Sequence, residues 1–367
     1  MPNIGELRIT DFRNLRSVNI KPSPGINLIF GANGSGKTSL LEAISVLAHG
    51  RSFRTHKFRR LINDEEGEAT VFALLKAGDE EARIGVNRKR NGDSQIRLNG
   101  QNVQSASLLA QQLPLLIMDA HSYQLLEGSA RIRRQFFDWL VFHVKHEFRE
   151  LWRAYAKCLK HRNSLLRHDK IRPADLKPWD QEFVELSHKI EQLRLEVLEP
   201  FISAFHHTAQ QFGFQQSDIT LTYINGWKEG TASLEQLALS FERDHKQGFS
   251  SLGPHKSDIK IQLGTVPAVE KLSRGQQKVL ISALYLAEAR VKQEQKGSEV
   301  VFLLDDLPAE LDEAHLKQLA GWLNELNAQL FITGVSAEKL KDLWPDFHKK
   351  EPAMFHVKHG EIQRVSV

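Results

Sequence analysis

A single cysteine stands in 367 residues, so Cys158 cannot close an internal disulfide, and its neighbours Lys157 and Lys160 belong to no CxxC or CxxxH ligand pattern. A disulfide-stapled or zinc-built scaffold is excluded, and a reducing, cytoplasmic setting is expected. No apolar run approaches the roughly 20 residues that a membrane helix needs. The longest core-like run, Val300 to Leu304, is strand-sized. The opening Met1-Pro2-Asn3-Ile4-Gly5-Glu6 has no basic segment followed by an apolar stretch, and no signal peptide is expected. The 16 histidines show no HxxxH or HExxH spacing, which leaves little support for a histidine-held metal site. Excess charge of one sign is also small. Lys and Arg number 49 against 45 Asp and Glu, a net charge of +4 that permits a polyanionic partner without requiring one.

What is present is the composition of a soluble globular protein, 41% hydrophobic and 26% charged, long enough for two or three domains. Three textures follow one another along the chain. From Leu7 to Met118 short apolar or alternating runs read as strands: Leu7 to Ile9, Ile26 to Phe30, Ala69 to Leu75, Ala82 to Val86, Gln95 to Leu98 and Leu115 to Met118. Asn91-Gly92 and Asn99-Gly100 mark turns beside them. From Ser129 to about His168 a stripe through Phe137, Leu140, Val141, Val144, Phe148, Leu151, Trp152, Tyr155 and Leu159 predicts one long amphipathic helix. A break is expected at Pro173 and Pro178. The stripe from Phe183 to Phe205 then predicts a second helix folded back as a hairpin. Strands are expected at 219–223 and 259–263, then a βα-type stretch from Lys278 onward, whose first helix runs to Arg290.

The segment Gly31-Ala32-Asn33-Gly34-Ser35-Gly36-Lys37-Thr38 matches GxxxxGK[ST] at every fixed position. It follows an apolar strand and opens a helical pattern with Leu40, Leu41, Ile44 and Leu47, the order that a phosphate loop requires. Its backbone N–H groups and helix N-terminus would surround the phosphates of ATP, Lys37 would reach the β and γ phosphates, and Thr38 would ligate Mg²⁺. A second motif, Val300-Val301-Phe302-Leu303-Leu304-Asp305-Asp306, describes a buried parallel strand tipped with two acids. Asp305 would hold Mg²⁺, and Asp306 would orient or deprotonate the attacking water. A third, Leu272-Ser273-Arg274-Gly275-Gln276-Gln277, opens a helix. Ser273 there is either a simple N-cap or part of an anion-binding surface.

The third motif resembles the LSGGQ signature of ABC-type ATPases, which implies that Ser273, Gly275 and Gln276 act in trans on ATP held by a second copy. Pro308-Ala309-Glu310-Leu311-Asp312 resembles the D-loop of the same superfamily. Asp11 to Leu15, Gly50 to Thr55, Arg133 to Asp138 and Gly253-Pro254-His255-Lys256-Ser257-Asp258 resemble the bacterial RecF family of recombination and repair proteins, relatives of SMC-type ATPase heads. The resemblance spans nearly the whole chain. It implies a homodimer formed on ATP, binding to gapped or single-strand/duplex junction DNA, partnership with RecR and RecO in loading recombinase, and roles in replication restart and the SOS response. The expected fold is α/β: an ABC-type P-loop ATPase head with a mixed sheet, drawn from 1–120 and 300–367. A mainly helical lobe from 121–299 is inserted in it, with the hairpin at 129–205 and the signature at 272–277.

The chain departs from its superfamily in three places. Met118-Asp119-Ala120-His121 leaves the Mg²⁺-sensing glutamine loop unassigned, Thr333-Gly334 stand where a switch histidine would follow a strand, and Asp306 replaces a glutamate. Slow hydrolysis is the expected consequence. Arg131, Arg133, Arg134, Lys145, Arg149, Arg153, Lys157, Lys160, Arg162, Arg167, Lys170 and Arg172 crowd the first long helix and its exit, either a DNA-backbone surface or a solvated face balanced by the acids of the second helix. Phe136, Phe137, Trp139, Trp152 and Tyr155 fall mostly on the apolar stripe, so core packing is expected of them rather than base stacking. Other classes fit less well. A transporter's nucleotide-binding subunit would carry no such helical insertion, a GTPase would need NKxD, and a kinase has no use for the third motif. A nucleotide-gated scaffold differs from the preferred reading only in rate.

Overall fold

Alternation in Glu6-Leu7-Arg8-Ile9-Thr10 buries Leu7 and Ile9 and turns Arg8 and Thr10 to solvent, the pattern of a strand with one wet face. That strand is β1 (Asn3–Phe12) in a computed structural model that describes residues 3–215, 218–297, 300–306, 313–326, 328–343 and 352–366. With β2 (Leu15–Ile20), β4 (Glu68–Ala77), β5 (Glu80–Lys89), β6 (Ser94–Leu98) and β7 (Gln101–Asn102) it forms an antiparallel sheet ordered β2-β1-β4-β5-β6-β7. Asn99 and Gly100 both take positive φ, 49° and 83°, in the tight turn that pairs β6 with β7.

A second sheet, ordered β15-β14-β3-β13-β12-β8, is parallel apart from its β15 edge. It joins β3 (Ile26–Phe30) and β8 (Leu115–Met118) to β12 (Val300–Leu304), β13 (Ala328–Gly334), β14 (Ala353–Lys358) and β15 (Glu361–Val365). Between the sheets runs α1 (Lys37–His49), buried on nearly every side, largely apolar, with its buried Glu42 and Ser39 taken up by hydrogen bonds. Burial of Leu40, Leu41, Ile44 and Leu47 contributes about 2 kcal/mol apiece. Buried Gln329 fastens β13 to β1, accepting from the Ile4 N–H at 2.8 Å and donating to the Ile4 carbonyl at 3.0 Å. Helices α2 (Ala106–Gln112), α10 (Glu313–Glu325) and α11 (Ala337–Asp342) are also among the described residues of this unit, which comprises Met1–Ser122 and Lys296–Val367.

The second unit, Tyr123–Gln295, holds α3 (Gln124–Glu127), α4 (Ala130–Val144), α5 (Phe148–Leu165), α6 (Pro173–Gln211) and α7 (Leu234–Gln247). It also holds α8 (Ala268–Lys271), most of α9 (Arg274–Lys296), and a small sheet of β9 (Ile219–Ile224), β10 (Asp258–Leu263) and β11 (Val266–Pro267). The single helix expected from Ser129 to His168 is in fact two. Val144 and Phe148 are both buried, so the apolar phase runs unbroken through a bend at which Lys145 adopts extended backbone (φ −110°, ψ 103°). The bend lets α4 face β10 while α5 lies along α6, and Lys145 pairs with Glu196 on α6 at 2.5 Å.

Pro173 does not break a helix; it occupies the first turn of α6, where a missing N–H costs nothing, and the helix continues through Pro178 and Pro200 for 39 residues. The expected stripe from Phe183 to Phe205 is its buried face. Helix α9 begins at Arg274 rather than Lys278, because Ser273 and Gln276 start it with a reciprocal cap.

Candidate nucleotide site

The phosphate loop joins β3 to α1, and its shape follows from close backbone approaches. A Cβ at Gly31 would lie 2.2 Å from the Val357 carbonyl oxygen, and one at Gly36, whose φ is 122°, would lie 2.9 Å from the Leu15 side chain. The loop is braced from outside: Gly360 N–H donates to the Ser35 carbonyl at 2.9 Å, and Asn14 Nδ2 donates to the Gly34 carbonyl at 3.2 Å. Asn14 Oδ1 in turn accepts from the Ser39 hydroxyl at 2.8 Å. Ala32, Asn33 and Gly34 form the exposed tip, while the Ser35 hydroxyl is buried with no protein partner.

Lys37 Nζ folds back over the loop, donating to the carbonyls of Gly31 at 2.8 Å and Ala32 at 3.0 Å. Burial lowers its pKa from the ordinary lysine value, against the pull of Asp306 and Asp305. Thr38 Oγ1 donates to Asp305 Oδ1 at 3.1 Å, and Thr333 Oγ1 donates to the same oxygen at 2.8 Å. Burial raises the Asp305 pKa; the two hydroxyls oppose that shift, and the charges of Asp119 and Asp306 add to it. Asp306 sits in the left-handed region (φ 52°), its N–H held by Thr333 Oγ1 at 2.7 Å. Lys37, Thr38, Asp305 and Asp306, which lie far apart in the chain, therefore meet around the C-terminal tips of β3 and β12.

Sequence reasoning overlooked Thr333. The position that lacks a switch histidine carries a wholly buried threonine bridging the two acids, and its place beside them depends on the β12–β13 pairing. Overlooked too was a cleft of about 530 Å³ beside the first turn of α1, lined by Arg13, Asn14, Ser39, Ile62, Asn63 and Asp64. Arg13 has a left-handed backbone (φ 57°) and grips buried Glu42 through two hydrogen bonds of 2.9 and 2.7 Å. The motif Asp11 to Leu15 thus has a structural purpose at the loop's flank.

Ser273, Gly275 and Gln276 belong to the other unit. Ser273 Oγ accepts from the Gln276 N–H at 3.3 Å and Gln276 Oε1 accepts from the Ser273 N–H at 3.0 Å, so the simple-cap reading describes this single chain. Gly275 has open space where a Cβ would stand. Arg274 pairs with Glu127 and lies over the Tyr123 ring at 5.3 Å. The D-loop stretch Pro308 to Asp312 lies outside the described residues.

The basic run does not form one surface. Arg133 is committed to Asp258 (2.8 and 2.9 Å), Arg134 to the Ser257 carbonyl (2.6 Å), and wholly buried Arg162 to Asp180, Asp244 and Ser250. Burial among apolar neighbours forces these guanidiniums to take internal partners. Arg153, Lys157, Lys160 and Lys170 remain exposed. Among the aromatics, Phe137 and Tyr155 are buried and Phe136 stands edge-on to Tyr285 at 5.1 Å, so core packing describes them.

A strand, phosphate loop and buried helix beside an acid-tipped parallel strand, with an antiparallel sheet on the helix's other side, define a P-loop ATPase head of the ABC type. The chain belongs to the RecF/RecN/SMC family: the model of the "RecF/RecN/SMC N terminal domain" matches residues 3–360. It is 53% identical over 364 residues to the DNA replication and repair protein RecF of Saccharophagus degradans, covering 99% of each chain. The RecF of Cellvibrio japonicus is 45% identical over 361 residues, with 98% of this chain and 99% of that one covered. A solved structure described as the recombination mediator protein RecF-ATP in the RecFOR pathway superposes with a TM-score of 0.86 at 26% identity, covering 100% of this chain and 98% of that one. An SMC head bound to the C-winged helix domain of ScpA shares the fold, with a TM-score of 0.58 at 18% identity over 100% of this chain and 98% of that one.

Proposed function

We propose that this protein is an ATP-driven DNA-binding protein of recombinational repair, whose heads dimerise on ATP and hydrolyse it slowly with stimulation by DNA. The carrying observation is that Thr333 braces Asp305 and Asp306, that Thr38 bonds the same Asp305 oxygen, and that Lys37 stands next to Thr38 over the phosphate loop. Lys37 exchanges its two carbonyl partners for the β and γ phosphates, and the unpartnered Ser35 hydroxyl supplies a further donor. The cleft beside Arg13, Asn14 and Ser39 takes the base and ribose of ATP. Thr38 and Asp305 are hard oxygen donors already 3.1 Å apart, a pair that fits Mg²⁺, which supplies charge neutralisation at the transferred phosphoryl group.

Asp306 orients the attacking water and accepts its proton. Its carboxylate is one methylene shorter than a glutamate's, and its backbone is pinned by Thr333, so the water is held less closely and turnover is slow. Ser273, Gly275 and Gln276 of a second copy close over the γ-phosphate. ATP binding at two such sites is then the adhesive of a homodimer. The relatives' names, a DNA replication and repair protein and a recombination mediator in the RecFOR pathway, support DNA, RecR and RecO as partners; that the DNA is gapped or a junction and the setting cytoplasmic belongs to the same proposal. Among the described residues no helix is long and apolar enough to cross a membrane.

Light scattering with and without ATP and a gapped duplex tests this reading. Mass should double with ATP and rise again with DNA. A protein that stays monomeric with ATP would lose the trans site, and one that ignores gapped DNA would lose the repair reading.

A further inference from the structure

The motif Gly253-Pro254-His255-Lys256-Ser257-Asp258 takes no part in the nucleotide site, yet the second unit spends much of its buried polar chemistry on it. Arg194, 1% exposed at its side chain, holds the Pro254 carbonyl at 3.1 Å and Ser257 Oγ at 2.9 Å while paired with Asp138 at 2.8 and 2.9 Å. Arg133 fixes Asp258, and Arg134 fixes the Ser257 carbonyl. His255 Nε2 donates to the Ser250 carbonyl at 3.0 Å, so Nδ1 accepts from the Tyr155 hydroxyl at 2.6 Å. Arg162 and Asn163 hold Ser250 at 2.7 to 2.8 Å. Gly253 (φ 125°) leaves no room for a Cβ, which would lie 2.6 Å from the Tyr155 hydroxyl.

All this rigidity ends at the short turn 248–251, where Ser250 is buried and Phe249 turns outward, and on this turn three cations converge. Arg167 Nε donates to the Gly248 carbonyl at 3.2 Å, Arg243 to the Ser251 hydroxyl, and Lys256 Nζ lies 5.0 Å from the centre of the Phe249 ring. Phe249 is 40% exposed and Arg243 43% exposed; Arg167 and Lys256 are exposed as well. The acid beside Arg243, at 3.9 Å, is Asp244, which is wholly buried and already engaged by Arg162 and Ser251. An aromatic face ringed by cations on a fixed support is the pairing that single-stranded nucleic acid calls for, with phosphates neutralised and a base stacked.

We propose that the turn at 248–251, with Arg167, Arg243 and Lys256 around Phe249, is a contact site for single-stranded nucleic acid, taking one base on the ring and the flanking phosphates on the cations. It rests on the DNA-binding reading above and gives it a location on residues other than Arg149, Arg153, Lys157 and Lys160, at the C-terminal end of α5. The buried loop at 250–258 is its positioning device.

Fluorescence anisotropy of a mixed-sequence single-stranded oligonucleotide and of a blunt duplex, in the full chain with ATP across a salt series, separates the outcomes. Phe249→Ala should weaken the single strand about tenfold and leave the duplex unchanged, because paired bases cannot reach the ring. Phe249→Trp should restore the affinity. Lys256→Glu should weaken both and lower the single-strand salt slope by about 0.7. ATP affinity should stay at the wild-type value in all three. Wild-type protein that binds neither nucleic acid overturns both this site and the DNA-binding reading. Wild-type protein that binds while the variants match it overturns this site alone. Equal loss on duplex and single strand in Phe249→Ala overturns the stacking site. Loss of a polyglutamate peptide probe with oligonucleotide binding intact would make the patch a protein-docking surface and overturn the proposal.

Discussion

The phosphate loop draws its polar groups from eight consecutive residues, mostly from their backbone, whereas the loop at 250–258 is held by side chains from as far as 125 positions away. In the first the ligand-facing chemistry is local, so glycine spacing suffices and the surroundings only brace it. In the second each arginine must find its acid or carbonyl across the unit, and losing one partner strands another in a dry interior. The first construction should therefore lose function on mutation while keeping its fold. The second should lose stability first.

The largest expected effect breaks the second construction. Arg194→Met leaves Asp138 without its cation and strips two bonds from Pro254 and Ser257, which should cost about 4 kcal/mol in chemical denaturation. The double change Arg194→Met with Asp138→Leu should recover part of that loss; a double variant no better than the single would mean the ion pair is not the source. Lys37→Ala is the mirror case. It should weaken ATP by roughly a hundredfold or more, about 3 kcal/mol, with the melting temperature nearly unchanged, and calorimetric titration showing wild-type affinity would remove the loop from the site.

Ser273→Arg should abolish ATP-induced dimerisation while sparing nucleotide binding to the monomer, since the cap it disturbs lies in the other unit. Dimers of normal strength in light scattering would take the signature out of the interface. The two acids should separate: Asp305→Asn should shift the Mg²⁺ dependence of ATP binding about tenfold, whereas Asp306→Asn should keep Mg²⁺ and ATP bound and lengthen the life of the dimer. Identical behaviour would mean that their roles are wrongly divided.

The last effect is a pH dependence of the second construction. Burial pulls His255 down to about 4, with Lys256 and Arg134 adding to the shift and the Ser250 carbonyl and Asp244 opposing it. A histidine depressed in the folded state binds protons more readily when unfolded, so its contribution is whole above about pH 6.5 and is lost as pH falls toward 4. The amount is on the order of 3 kcal/mol. His255→Gln should flatten the denaturation free energy across that window; an unchanged slope assigns it to other groups.

These contrasts also mark what could be read in advance. The phosphate loop and acid-tipped strand were legible because backbone geometry and apolar runs are local signals. Thr333 was not, because its partners Asp305 and Asp306 lie 28 and 27 positions away, at the tip of a neighbouring strand. The split of α4 from α5 was hidden since the apolar phase crosses Lys145 to Glu147 undisturbed, and Pro173 signalled a start where a break was expected. Basic residues misled for a related reason: a charge in a sequence does not say whether an acid awaits it, and Arg162 and Arg194 are among the most deeply buried side chains of the molecule.

The central sheet places β3 between β13 and β14, strands that leave the ribosome long after it. Between Phe30 and Ala328 lie about 300 residues, so at roughly 5 to 20 residues per second the apolar faces of β3 and α1 wait about 15 to 60 seconds for the strands that cover them. The 173 residues of Tyr123–Gln295 emerge within that interval and can fold as a unit. Each newborn copy therefore carries a finished insert within an unfinished head, and during that wait its demand on chaperones is greatest.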